Sequence, residues 1–279
     1  MSIKICLDAG HYGKYNRSPV VKEYYESDMN WALHLKLKAE LEKYNISVVT
    51  TRSNKDKDLE NTKRGKLSKG CNFFISLHSN AAKREDADHI VIFVPVDDNT
   101  TDIDEKSRGL AKVLAPAITK LMGVKETNYR IAGVKSANDR NQDGVLNDNY
   151  YGVLHGARTV ETPALIIEHS FHTNTRATKW LMDDSNLEKL AKEEAKIIAE
   201  YLGAQIIKKL YRVQVGSFFF YSNASKRMKE LKGKGFSAFI VKSGLMYRVQ
   251  VGAYTVKKNA QAMKNKIVKA GYSAIIVES

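Results

Sequence analysis

The hexapeptide YRVQVG occurs twice near the end of the chain, at Tyr211–Gly216 and again 36 residues later at Tyr247–Gly252. A tract repeated at that spacing is one supersecondary unit used twice, so this part must fold as a pair of alike pieces. The match continues beyond the hexapeptide. Ser217-Phe218 corresponds to Ala253-Tyr254, Asn223-Ala224 to Asn259-Ala260, Gly235-Phe236 to Gly271-Tyr272, and Phe239-Ile240-Val241 to Ile275-Ile276-Val277. Each copy reads as strand, helix, strand. Ala224, Met228 and Leu231 share one helical face in the first copy, as Ala260, Met263 and Ile267 do in the second, and a glycine turn precedes each closing strand. One copy alone buries too little surface to be stable. The pair, 211–243 and 247–279, is therefore expected to form one small α+β domain of βαββαβ order with both helices on one face. Residues 204–210 are expected to link it to a larger domain at 1–203, whose last helix Gly203 caps.

Charge divides the chain at the same place. From Ala204 to Ser279 there are 15 basic residues and only Glu230 and Glu278 as acids, a balance of +13, which leaves +1 for the first 203 residues. A nearly acid-free domain of that charge points to a polyanionic partner: nucleic acid, acidic lipid or an anionic wall polymer.

In the larger domain, apolar runs end abruptly in residues that can do chemistry. Ile3, Ile5 and Leu7 alternate with Lys4, Cys6 and Asp8 before Gly10-His11, and Phe73–Leu77 (FFISL) runs directly into His78-Ser79-Asn80. Ala164–Ile167 runs into Glu168, followed by His169 and His172. Neighbouring parallel strands deliver such residues to one rim, where open α/β sheets place their sites. Between these runs lie a helix at 25–44 with Met29, Leu33, Leu37 and Leu41 on one face, a strand at 46–52, a basic helix at 58–69 and a strand at 90–94. A helix at 104–122, a long loop to about 149 and a closing helix at 187–202 complete the domain. The alternation predicts a mixed, mostly parallel sheet covered by helices on both faces. His11 and His78 on one rim suit zinc, and a third ligand is then needed. Glu26 and Glu23, just before the first helix, serve equally well by position. His169 and His172 are also ligands by residue type, and Glu168 stands where a general base belongs. By composition and spacing alone this is a metal hydrolase.

Cys6 and Cys71 show no CxxC spacing and read as small core residues of a reducing compartment. The chain enters its first strand without a basic and then apolar leader, and no apolar run is long enough to span a membrane. It is expected to be made in the cytoplasm without a signal peptide.

Four motifs together, Leu7-Asp8-Ala9-Gly10-His11, Glu26 with Asn30, Ile75–Asn80 (ISLHSN) and Ile166–Phe171 (IIEHSF) with Asn174, resemble the type 3 zinc N-acetylmuramoyl-L-alanine amidases over about residues 3–203. The tail resembles the SPOR-like tandem repeats that follow such domains in sporulation-related and phage lytic enzymes. The resemblance implies hydrolysis of the amide between N-acetylmuramic acid and L-alanine of bacterial peptidoglycan. It implies zinc held by His11, Glu26 and His78, with Glu168 as catalytic acid/base, and selects Glu26 over Glu23 because the family's acidic ligand stands four residues before an asparagine. It further implies a tail that binds peptidoglycan and anionic wall polymers, with no nucleic-acid partner, and action on the wall after release from the cell as a phage endolysin or a sporulation autolysin. Asp88-His89 departs from the family, which has glycine entering that strand, and His169 stands where relatives have a small residue. A different class of reading makes the βαββαβ tail, with Tyr211, Phe218, Tyr247 and Tyr254, a nucleic-acid platform. The order of VQVG argues against an RNA-binding signature. Finally, Asp139–Gly144 copies the opening of a calcium loop but has Tyr150 at the twelfth position, where the bidentate glutamate belongs.

Overall fold

A computed structural model describes residues 3–96, 102–125, 128–138, 140, 148–206 and 210–278. The chain divides into two compact units, Met1–Ile206 and Ile207–Ser279. The calcium-like loop falls largely outside the described residues.

In the first unit a six-stranded sheet has the order β2-β1-β3-β6-β4-β5. The strands are β1 (Lys4–Ala9), β2 (Ser47–Thr50), β3 (Phe73–Asn80), β4 (Val91–Phe93), β5 (Arg130–Ala132) and β6 (Ala164–Phe171). β2, β1, β3 and β6 run parallel, while β4 pairs antiparallel with β6 and carries β5 beside it. The two central strands, β3 and β6, are apolar on both faces because helices cover both.

One face packs against α1 (Glu26–Glu42), α3 (Asp102–Met122) and α6 (Asp184–Tyr201). Leu33, Leu37 and Leu41 recur every four residues on α1 and are fully buried against Ile5, Leu7, Ile75 and Leu77. The other face packs Cys6, Phe74 and Ile166 against α4 (Gly152–Arg158), which lies on α2 (Asn61–Lys66). The α2–α4 crossing is close enough that a Cβ on Gly156 would fall 2.1 Å from the Thr62 carbonyl oxygen, so only glycine allows it. Both cysteines are buried and free, and burial pushes the Cys6 thiol far above its ordinary range.

Three elements differ from what the sequence suggests. The helix expected over 58–69 is α2 alone: Glu60 is extended and caps it through Thr62 N and Lys63 N, and Gly70 in the left-handed region turns the chain after it. The long loop holds the short edge strand β5, and α4 and α5 (Thr175–Met182) flank β6. β6 does not stop at Glu168 but continues through His169 and Ser170 to Phe171, which pairs with Asn80. His169 and Ser170 stay in the buried strand because each finds a partner: His169 meets Glu194, and Ser170 donates to Asp88, which Arg176 also clasps.

The second unit has an antiparallel sheet of order β10-β7-β9-β8. It comprises β7 (Tyr211–Phe218), α7 (Tyr221–Gly233), β8 (Phe239–Ser243), β9 (Met246–Tyr254), α8 (Lys257–Lys269) and β10 (Ile275–Glu278). The repeated valines, Val213 and Val215 with Val249 and Val251, form one core with Ala224 and Leu231 of α7 and Ala260 and Ile267 of α8. The two copies thus complete one another's interior.

Candidate active site

Strand register and side-chain alternation build the site. β1 pairs Asp8 with Ser76, and β6 pairs Glu168 with His78. Residues two apart share a face, so Asp8, Ser76, His78, Ile166 and Glu168 all point to the α4 side. His78 and Glu168 stand abreast near the C-terminal ends of their strands. His169, one residue on, points through the opposite face, where its Nε2 meets Glu194 Oε1 of α6 at 2.7 Å and its Nδ1–H donates to the His78 carbonyl at 2.9 Å.

The first turn of α1 brings Glu26 to this rim, buried at 2% exposure, while Glu23 is exposed. Glu26 Oε1 lies 2.9 Å from His78 Nδ1 and accepts from Ser79 N at 3.1 Å, and Oε2 lies 3.3 Å from His11 Nε2 and accepts from Asn16 Nδ2 at 2.7 Å. Ligand atoms of His11, Glu26 and His78 lie within 4.8 Å of one another, so these three could hold a metal ion. Burial alone would push the Glu26 carboxyl up, but its bonds to His11 and His78 outweigh that and hold it well below the ordinary range. Burial pushes the His78 imidazole down, toward the neutral form that a ligand needs.

Neighbours of these residues within the same motifs orient them. Asp8 accepts from Thr51 Oγ1 at 2.5 Å and Ser76 Oγ at 2.7 Å, and Ser76 Oγ lies 3.1 Å from His78 Nε2. With the Ser76 proton committed to Asp8, Ser76 Oγ can accept from His78 Nε2, so that a metal ion bound between His78 and Glu26 would find Nδ1 unprotonated. Asn30 Nδ2 donates to Gly10 O at 3.1 Å. A Cβ on Gly10 would sit 2.1 to 2.6 Å from atoms of the His78 ring, so the glycine before His11 makes room for the second imidazole. His11 itself has φ 60°, a left-handed conformation that costs a non-glycine residue about 1 kcal/mol or more. Asn174, in contrast, caps α5 through Ala177 N, and Asp88 anchors Ser170 and Arg176 where a glycine would anchor neither.

Glu168 differs from its neighbours. It is 8% exposed, its Oε2 is buried without a partner, and burial reinforced by the Glu26 charge pushes its carboxyl well above the ordinary range. It lines a cleft of about 500 Å³ together with His11, Glu26, His78, Arg64 and His172. Two imidazoles and a carboxylate beside a perturbed acid in a cleft are the parts of a hydrolytic centre.

A family model described as N-acetylmuramoyl-L-alanine amidase matches residues 5–200. The chain belongs to this family. A SPOR domain model matches residues 208–278, so the amidase carries a C-terminal SPOR domain. The N-acetylmuramoyl-L-alanine amidase CwlM of Bacillus licheniformis is 25% identical over 247 residues, covering 86% of this chain and 85% of its own. The catalytic domain of CwlV from Bacillus (Paenibacillus) polymyxa superposes with a TM-score of 0.57 at 22% identity, over 73% of this chain and 99% of that one. The CwlD amidase of Clostridioides difficile, solved in complex with the GerS lipoprotein, gives 0.57 at 23% identity over 72% and 98%. These two share the fold of the first unit. The amidase acts on peptidoglycan, hydrolysing the bond between N-acetylmuramic acid and L-alanine. Among the described residues no helix is long and apolar enough to cross a membrane.

Proposed function

We propose that the amidase is zinc-dependent, with His11, Glu26 and His78 as ligands and Glu168 as acid/base. The observation that carries this reading is the cluster itself: two imidazoles and one carboxylate converging beside a buried carboxyl with an unbonded oxygen. That donor set fits zinc better than calcium or magnesium, which favour oxygen alone. Zinc held there would supply a Lewis acid that lowers the pKa of water and polarises an amide carbonyl. The protein does the rest. Glu168, its proton affinity raised by burial, takes a proton from the attacking water and returns it to the alanine nitrogen as the C–N bond breaks. Asn16 and Ser79 N hold the Glu26 carboxylate in place, and Ser76 fixes the His78 ring. Mass spectrometry of digested peptidoglycan tests this: muramic acid freed from alanine by untreated enzyme, none after chelation, and cleavage restored by zinc. A cut elsewhere in the stem, or cleavage that persists without metal, would reject it.

Residues 1–203 then form the catalytic domain, 204–210 the linker and 211–279 the domain that brings the enzyme to glycan strands and anionic wall polymer. Supporting this, the second unit matches a SPOR domain model over residues 208–278. The +13 balance of 204–279 adds attraction to wall anions. Full-length protein is expected to sediment with purified walls through moderate salt while any single-stranded RNA binding is lost, since purely ionic contacts weaken steeply with salt. The reverse pattern would favour the nucleic-acid reading. The enzyme would act after leaving the cytoplasm, in phage lysis or in release from a sporulating mother cell.

A further inference from the structure

The cleft holds a third imidazole that the metal cluster does not use. His172 follows β6 and is 5% exposed. Its backbone is fixed at both ends: N donates to Asn80 O at 2.8 Å, and O accepts from Ser18 Oγ at 2.6 Å and Thr178 Oγ1 at 3.1 Å. Its ring stacks on Tyr24 at 6.1 Å, and Tyr24 in turn bonds Ser79 Oγ at 2.7 Å.

The hydrogen bonds of this ring decide its chemistry. Nδ1 lies 2.9 Å from the Ser79 carbonyl oxygen and 3.1 Å from Ser79 Oγ. A carbonyl only accepts, so Nδ1 carries the proton. The other nitrogen of the neutral ring is then an acceptor, and Nε2 has no partner among the described residues and is not one of the sealed, unbonded polar atoms. His172 lines the same cleft as Glu168 and His78. Its Nδ1 is 4.0 Å from Glu26 Oε2 but occupied by Ser79, and the residue is not part of the group whose ligand atoms converge. A fourth ligand is therefore the weaker reading. What remains is a rigid acceptor of fixed tautomer presented to a cleft whose substrate carries peptide N–H groups.

We infer that His172 is a substrate-binding residue of this amidase, whose Nε2 accepts a hydrogen bond from a peptide N–H of the stem and so orients the scissile amide. The inference rests on the zinc amidase reading above. Two substitutions separate it from its rivals. His172→Asn keeps a donor near Nδ1, and with it the bond to Ser79, but has nothing where Nε2 was. His172→Gln can place Oε1, an acceptor, near the Nε2 position. With zinc-loaded full-length enzyme and soluble muropeptide, His172→Asn is expected to lower kcat/KM about tenfold, the scale of one lost hydrogen bond in a desolvated site. His172→Gln should recover most of that loss, and both should keep wild-type zinc content and melting temperature. Unchanged activity in His172→Asn would overturn the inference. So would loss of zinc in either variant, which would make the residue a ligand, or equal losses in both, which would make it packing. Failure of the zinc reading would show separately, as wild-type activity indifferent to chelation, while the ratio between the two variants stayed readable.

Discussion

Glu168→Gln is expected to abolish cleavage while zinc remains bound at full stoichiometry. The amide is nearly the same shape and leaves His11, Glu26 and His78 untouched, but it cannot take a proton from water or give one to the leaving nitrogen. Loss of a positioned acid/base costs about 10²- to 10⁴-fold, read as kcat on muropeptide beside metal content by elemental analysis. The same variant should be more stable than the wild type once metal is removed. The folded-state pKa of Glu168 is raised, so its protonated form suits the fold. Stability is fully present below the ordinary carboxylate value of about 4.3 and is lost as pH rises through the raised value. Glutamine carries no charge to bury, and the gain at neutral pH should be on the order of 1–3 kcal/mol by urea denaturation. Zinc beside the carboxyl would stabilise its anion, so the gain should shrink in the loaded protein. Wild-type kinetics in Glu168→Gln would remove this residue from the mechanism.

His78→Ala should show the opposite pairing, with metal and activity lost together. Its ring touches Glu26, Ser76 and the space left by Gly10, so no neighbouring group can replace it. A ligand that binds only the folded protein raises stability by about 2.7 kcal/mol at a hundredfold excess over its Kd. The wild type is expected to show a zinc-dependent rise in melting temperature of that scale, and His78→Ala none. A variant that kept both zinc and the thermal shift would show that another residue completes the ligand set.

Much of this site is legible in the chain itself. His11 and His78 stand out because apolar strands break at them, and Met29 to Leu41 place α1 by their spacing alone. The choice between Glu23 and Glu26 was beyond spacing. It turns on the chain folding back between Asn16 and Tyr25, where a bridge joins Arg17 to Tyr25 and leaves Glu23 in solvent. The far end of β6 was also obscured. A glutamate, two histidines and a serine resemble a loop, and His169 and Ser170 continue the buried strand because Glu194 and the Arg176-clasped Asp88 come from distant segments to satisfy them. Asn16 gave no signal, and the orienting roles of Asp8 and Ser76 within their motifs were hidden, because short polar side chains are ordinary at strand ends and turns.

The alternation along β6 has one further consequence. Glu168 faces the cleft and His169 faces away, yet His169 grips the backbone of the strand that carries His78 and is itself gripped by α6. The far side of the sheet is thus mechanically joined to the cleft, and a helix packed on the opposite face helps set the aim of His78 and Glu168. Anyone reshaping α6 to toughen the protein would be retuning its bite, with Glu194 the residue to leave alone.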